Sequence, residues 1–340
     1  MKSKQNSIKQ NSIKQNSIFL VLLISLFLGL CICIYLYNIK IKDAFNNKTN
    51  NNENGKIAFL FLTYSNLKRI DIWNKFFDFK DNDITKSQYY NKFTIYNHAK
   101  EPNKITDILL KDKQIPEHID TCWSCANLVE ANILMMNQAL KDPLNKKFIL
   151  VSDSCIPIVS FNTFYNEVMK DDKSRINFFY NNNPERYHQI NKPPFKDTEF
   201  LKHSGSGIII NLNHARLLST RINDLTENWN KVSCSDEHYF GNHLVLSDKD
   251  FHLNNNNIKN TFDTWSKNNL NLEHICKNTN NENENENDDS ICTYKDIGYS
   301  SPLVFKKLSN KLIDELRDKH FLFIRKVDEN TVIDIDYIVM

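Results

Sequence analysis

Short apolar runs alternate with segments of helical periodicity along the chain from Lys56 onward. The runs whose length and composition predict strands are 57–62, 93–96, 148–151, 176–179, 207–210 and 321–324. The segments whose apolar spacing predicts helices are 128–140, 161–169, 214–222 and 308–317. Strands that alternate with helices predict an α/β domain with a mainly parallel central sheet.

A longer apolar run, residues 18–37, lies near the N-terminus and carries no charge. At about 1.5 Å rise per residue, a helix of this length spans roughly 30 Å, the thickness of a bilayer core. Lysines without acids precede the run, which predicts a signal anchor behind a disordered basic cytosolic tail at residues 1–17. A cleaved signal peptide is the alternative, although its apolar region would be shorter.

The segment after the anchor, residues 38–55, is largely polar and predicts a stem. It contains the glycosylation sequon Asn47-Lys48-Thr49, so Asn47 is a candidate glycosylation site. Residues 56–340 are then expected to form one lumenal domain, interrupted by a low-complexity acidic loop at 279–289.

Composition excludes several classes of function. A net charge of +2 gives no reason to expect a nucleic-acid partner. The chain lacks the Walker loop and the GxGxxG, HExxH and GxSxG patterns. The commonest nucleotide-binding, metalloprotease and hydrolase motifs are therefore absent.

Six cysteines follow the anchor: Cys122, Cys125, Cys155, Cys234, Cys276 and Cys292. An even set in an oxidising lumen predicts disulfides, although six cysteines allow 15 connectivities. The Cys122-Trp-Ser-Cys125 pair can also be interpreted as a redox motif, but no thioredoxin-like pattern surrounds it. A zinc site built from this pair with Cys234 and His238 lacks a second close-spaced ligand pair.

Polar residues follow several predicted strands, and ligands of open α/β sheets bind at the carboxyl ends of strands. His98, the turn Ser152-Asp153-Ser154 and Lys326 occupy such positions, which is compatible with one cleft or with ordinary loop polarity. Glu237 lies in Cys234-Ser-Asp-Glu-His-Tyr239, before a predicted helical segment. A carboxylate in this position, beside a cleft, can act as a general base.

Several motifs occur in an order that is typical of one enzyme family. They are Lys56–Thr63, Tyr96–His98, Ala139–Asn145, Phe148–Pro157, Asp236–Tyr239 and Leu322–Lys326. Together they resemble the core-2/I-branching β-1,6-N-acetylglucosaminyltransferase family, glycosyltransferase family 14, and most closely its plant-type branch. The resemblance runs from Lys56 to Lys326.

This resemblance implies a GT-A-like nucleotide-sugar fold in a type II membrane protein of the Golgi or another secretory compartment. It implies transfer of a sugar, with inversion, to a hydroxyl of a glycan on a glycoprotein or polysaccharide. UDP-N-acetylglucosamine is the expected donor and UDP-xylose the alternative. No cofactor or divalent metal is expected, because Ser152-Asp153-Ser154 stands where most GT-A enzymes carry a metal-binding Asp-x-Asp.

The resemblance also assigns roles to individual residues. Glu237 matches the catalytic base, and Lys326, with its neighbour Arg325, is assigned to the nucleotide sugar. Lysine and arginine can replace a cation at a pyrophosphate leaving group. His98 matches a residue on the nucleotide side.

Arg186 and Trp265 match residues that bind the acceptor, although Arg186 can equally be a surface arginine in a polar loop. The family's second basic residue, an arginine upstream of Lys326, has no counterpart, since Tyr299, Ser300 and Ser301 occupy that region. A catalytically silent glycan-binding or scaffold protein on the same fold is therefore the alternative to an enzyme.

Overall fold

The computed structural model describes residues 55–180, 200–220, 229–230, 232–264, 275–278, 292–295 and 301–340. The predicted tail and anchor, the acidic loop, Asn47, Arg186 and Trp265 lie outside these residues. Among the helices of the described ranges, none has the length and apolar character needed to cross a bilayer. The predicted anchor is thus not tested by this finding.

The described chain alternates strands and helices. The strands are β1 Lys56–Thr63, β2 Phe93–Ala99, β3 Asn145–Ser152, β4 Ile156–Pro157, β5 Phe178–Tyr180, β6 Leu201–His203, β7 Ile209–Asn211, β8 Thr261–Phe262, β9 Cys276–Asn278, β10 Cys292–Lys295, β11 Val304–Leu308, β12 Phe323–Ile324 and β13 Val327–Ile333. The α-helices are α1 Ile70–Phe76, α2 Ile108–Lys111, α3 Asn127–Ala139, α4 Phe161–Met169, α5 Leu212–Ser219, α6 Tyr239–Ser247, α7 Phe251–Asn254, α8 Asn310–Asp318 and α9 Ile335–Ile338. The 3₁₀-helices are Ile84–Lys86, Tyr90–Lys92, Pro102–Lys104 and Ser235–Glu237.

The central sheet has the strand order β2-β1-β3-β7. Strands β2 and β3 both pair with β1 in parallel, whereas β7 pairs with β3 in the antiparallel direction. The prediction of an α/β domain with parallel strands is confirmed. The strand predicted at 207–210 is β7, which begins two residues later than predicted, and its antiparallel direction makes the sheet mixed.

Strand β1 explains why the sheet is buried on both faces. Its side chains alternate between two apolar clusters, with Phe59 and Phe61 in one and Ala58 and Leu60 in the other. Trp73 of α1 packs its ring edge-on against Phe61 at a centroid distance of 4.9 Å. A continuous apolar strand is the expected sequence for a strand covered on both faces.

Three further sheets complete the described domain. Their strand orders are β13-β11-β10-β9, β4-β12-β8 and β5-β6. Strand β12 pairs with β4, and β4 follows the turn at the end of β3. Arg325 and Lys326 come directly after β12. This pairing joins the C-terminal part of the chain to the end of the central sheet, where the candidate site lies.

The predicted helices are recovered with small changes in their bounds. Helix α4 spans the predicted residues, and the Ser160 hydroxyl caps it by accepting from the Thr163 N–H at 3.4 Å. The strand predicted at 93–96 extends to Ala99, so His98 lies inside β2 and does not follow it. The strand predicted at 321–324 is reduced to β12.

Candidate active site

A cavity of about 610 Å³ brings together three of the residues that the sequence assigned to the site. Glu237, Arg325 and Lys326 all line it. Lys202 and Lys259, which the sequence analysis did not single out, line the same cavity. Its size is within the usual range for small-molecule sites.

Glu237 is held at the end of a short 3₁₀-helix, Ser235–Glu237, that leads into α6. Cys234 precedes it in the left-handed region at φ 57°, and its carbonyl accepts from the Glu237 N–H at 2.9 Å. We call residues 234–237 the base turn. The buried Ser235 hydroxyl fixes this turn by donating to the carbonyl of Val232 at 2.9 Å. The Glu237 side chain keeps 21% of its surface exposed, so its carboxylate is accessible from the cavity.

Lys202 of β6 forms an ion pair with Glu237. Its Nζ lies 3.2 Å from Oε2 of Glu237, and both side chains remain partly exposed. Such partly exposed ion pairs contribute little free energy, so a polar ligand can displace them. No local sequence pattern marks Lys202, because its approach to Glu237 depends on how β6 packs beside the base turn.

Asp236 lies against the segment Ser204-Gly205-Ser206 and lines the same cavity as Glu237. A Cβ atom added to Gly205 would lie 2.8 Å from Oδ2 of Asp236, so this close approach requires glycine. Burial, and then the charge of Glu237, raise the pKa of Asp236 from 3.8 to about 6. This carboxyl therefore titrates near neutral pH, beside the proposed base.

Two buried histidines fix the backbone around the site. Nδ1 of His238 donates to the carbonyl of Leu201 at 3.0 Å, which ties α6 to β6. Nδ1 of His203 donates to the carbonyl of Ser204 at 2.8 Å, and burial lowers its pKa to about 4. His203 is therefore neutral at physiological pH, and its interactions are structural.

Arg325 and Lys326, which we call the basic pair, lie between β12 and β13. The Lys326 ammonium donates to the Ser301 hydroxyl at 2.7 Å, and burial, followed by the charge of Arg325, lowers its pKa. Nη1 of Arg325 donates to the Ser206 hydroxyl at 2.8 Å. Nε of Arg325 is buried and has no hydrogen-bond partner in the described part of the chain. The pair thus places two basic side chains at the cavity.

The turn that stands in place of an Asp-x-Asp is built into the end of the sheet. The Asp153 carboxylate accepts from the Tyr64 N–H at 3.1 Å, and its charge opposes the lowering of the Lys326 pKa. Across the described ranges, no three His, Cys, Asp or Glu side chains are grouped so that they could hold a metal ion.

His98 does not line the cavity. Its Nε2 accepts from the Ile119 N–H at 3.2 Å, and its ring stacks on that of His118 at 5.1 Å. Burial, and then the neighbouring His118, lower its pKa to about 4. His98 is a neutral, buried side chain of β2, and its assignment to the nucleotide stays a prediction.

Four of the cysteines form disulfides in the described chain. Cys122 pairs with Cys125, and Cys276 pairs with Cys292 across β9 and β10. The zinc interpretation is wrong here, since two of its four ligands are joined to each other. Cys155 and Cys234 remain thiols, and burial raises the pKa of Cys155 to about 12.

Comparisons with known proteins identify the family of this chain. The family model of the Core-2/I-Branching enzyme matches residues 57–292. The chain is 29% identical over 139 residues to the protein named Glycosyltransferase BC10 from Oryza sativa subsp. japonica. This match covers 39% of the chain and only 33% of that relative. Because the family match spans well over half of the sequence, the chain belongs to the Core-2/I-branching enzyme family.

Proposed function

We propose that this chain is an inverting glycosyltransferase that moves a sugar from a UDP-sugar to a hydroxyl of a glycan, without a divalent metal. The observation that carries the proposal is the shared cavity, in which Glu237 and the basic pair are both accessible. A base and a receptor for negative charge are the two groups that a one-step displacement requires.

Glu237 acts as the general base in this proposal. Its carboxylate takes the proton of an acceptor hydroxyl while the oxygen attacks the anomeric carbon of the donor sugar. The bond from that carbon to the phosphate oxygen breaks, and UDP leaves with the electron pair. The Lys202 ammonium can give way to the hydroxyl, because the ion pair with Glu237 is partly exposed.

The basic pair receives the charge that develops on UDP. Lys326 supplies a point charge, and Arg325 supplies a planar fork of donors that matches phosphate oxygens. Arg325 lines the same cavity as Lys326, which supports it as the second cation that the region around Ser301 lacks.

The wider setting follows from the sequence. We assign the domain to a GT-A-like fold. We also propose that residues 18–37 anchor it as a type II protein in the membrane of the Golgi or another secretory compartment. UDP-N-acetylglucosamine is the first donor to test, and UDP-xylose the second. Arg186 and Trp265 are proposed to contact the acceptor, and Asn47 to carry a glycan.

The test measures UDP release by the full-length protein in detergent with each UDP-sugar in the presence of EDTA. Glu237→Gln should lower turnover by about 100-fold or more while UDP still binds. Lys326→Ala should weaken UDP binding by roughly 10- to 100-fold, since it removes a charge-assisted hydrogen bond. Glu117→Gln, an exposed acid outside the cavity lining, is the matched control.

Different outcomes contradict different parts of the proposal. Full turnover by Glu237→Gln would remove Glu237 as the base. Turnover that requires added manganese would contradict the metal-free reaction. Binding of UDP or glycan without turnover of any donor would support a silent glycan-binding protein, an alternative favoured by the serine at position 301.

A further inference from the structure

Two large aromatic side chains are exposed in the lining of the cavity that contains Glu237. Trp123 has 72% of its surface exposed and Phe179 has 54%. The other exposed large apolar side chains of the described ranges do not line this cavity. Exposed apolar area costs about 25 cal/mol per Å², so this placement indicates a surface that a ligand covers.

Trp123 is presented by a covalently closed loop. The Cys122–Cys125 disulfide closes it, and the Asn127 side chain at the start of α3 accepts from the Cys122 N–H at 3.3 Å. A loop fixed at both ends loses little freedom when a ligand binds. The exposed indole is therefore preorganised for binding, whereas a side chain at the tip of a long loop would lose conformational freedom when a ligand binds.

The same loop is bonded to the base turn. The Cys234 N–H donates to the Ser124 hydroxyl at 2.9 Å and approaches the Ser124 carbonyl at 3.1 Å. Trp123, the neighbour of Ser124, is thereby fixed relative to Glu237. Phe179 lies close to the base as well, since Nζ of Lys202 lies 6.0 Å from its ring centroid and 3.2 Å from Glu237.

The geometry points to Trp123 and Phe179 as an aromatic platform for the acceptor sugar, a role that rests on the function proposed above. A pyranose ring has apolar C–H faces, which pack on aromatic rings, and hydroxyl edges, which suit the Lys202–Glu237 pair. The sugar beside the base is the one whose hydroxyl reacts, and the basic pair occupies the donor end. The platform therefore holds the acceptor, with Glu237 at its hydroxyl.

The binding test uses methyl β-D-galactopyranoside and methyl N-acetyl-β-D-glucosaminide with the full-length protein, in the absence of UDP. Saturation-transfer NMR detects contact between aromatic protons and the sugar C–H face. At least one glycoside should bind saturably, and Trp123→Ala should weaken it by about tenfold, or ~1.4 kcal/mol. Trp123→Phe should retain most of the binding, and Phe179→Ala should weaken it.

Tyr90→Ala is the matched control, because Tyr90 is 46% exposed but lies outside the cavity lining. The melting temperature of each variant should stay near that of the wild type, since these rings are exposed. Equal binding by the wild type and Trp123→Ala would overturn the platform, as would the absence of saturable binding of both glycosides to the wild type.

Kinetics separate this inference from the proposed function. Once a glycan acceptor supports transfer, Trp123→Ala should raise the acceptor KM by about tenfold and leave the affinity for UDP unchanged. Weakened UDP binding with an unchanged acceptor KM would overturn the acceptor assignment. If the wild type releases UDP but binds neither glycoside, the aromatic platform is wrong and the proposed function stands. If it binds a glycoside but releases no UDP, the transferase reaction is wrong and the platform stands.

Discussion

At the scale of single residues, the two adjacent carboxylates of the base turn have different environments. Glu237 forms an ion pair with Lys202, whereas Asp236, which also lines the cavity, lies against Gly205. The raised pKa of Asp236 means that the folded state holds its proton more tightly than the unfolded chain does. Neighbouring acids thus serve different purposes because of packing alone.

This difference predicts the effect of Asp236→Asn on stability. Between pH 4 and pH 6 the folded state binds the additional proton, so its stability falls as the pH rises through this window, by at most ~3 kcal/mol. The asparagine variant lacks this loss and should be more stable than the wild type above about pH 6. Urea unfolding of both proteins over a pH series measures the difference, and an unchanged difference across the window would contradict it.

The residues of the site differ in how far sequence could reveal them. Glu237 and the basic pair lie in contiguous motifs, and the structure places them in one cavity. Lys202, Trp123 and Phe179 could not be predicted, because their positions depend on contacts between segments distant in the chain. Only tertiary packing brings Lys202 to within 3.2 Å of Glu237.

At the scale of elements, the segment before β7 must pass close to the base turn. A Cβ at Gly205 would approach Oδ2 of Asp236 to 2.8 Å and Cγ of Glu237 to 3.7 Å. Gly205→Ala should therefore displace the base turn and lower the turnover of the UDP-sugar by roughly 10- to 100-fold.

The comparison variant is Gly55→Ala, whose Cβ would lie 2.3 Å from Cγ of Lys146, outside the cavity lining. It should lower the melting temperature but leave the turnover number nearly unchanged, because the clash does not involve the base turn. Comparison of the turnover numbers and melting temperatures of the two variants checks the prediction. Wild-type turnover in Gly205→Ala would show that the base turn tolerates displacement.

Elements with a strong local signal were predicted well, and those set by long-range pairing were not. Strand β1 is apolar on both faces, and α4 has a serine cap, so local sequence defines them. The antiparallel direction of β7 depends on its pairing with β3, which local periodicity does not encode. Strands β9 and β10 were missed, because they are short and flank a low-complexity segment.

At the scale of the whole molecule, the Cys276–Cys292 disulfide joins β9 and β10 of the sheet β13-β11-β10-β9. The two cysteines are 16 positions apart, and closing a loop of this size stabilises a fold by about 3 kcal/mol. The double variant Cys276→Ser/Cys292→Ser should lower the free energy of unfolding by about this amount. Denaturant unfolding measures the loss, and equal stability of the wild type with and without reductant would contradict it.

The hydrogen bonds between Ser124 and Cys234 have a consequence for the maturation of the enzyme. They make the base turn depend on a loop that is closed only after two thiols have been oxidised. In a reducing compartment Cys122 and Cys125 stay apart, and the support for the base turn is incomplete. We expect newly made chains to reach the full geometry of the base turn only after this oxidation. The protein would then become active some time after it is synthesised.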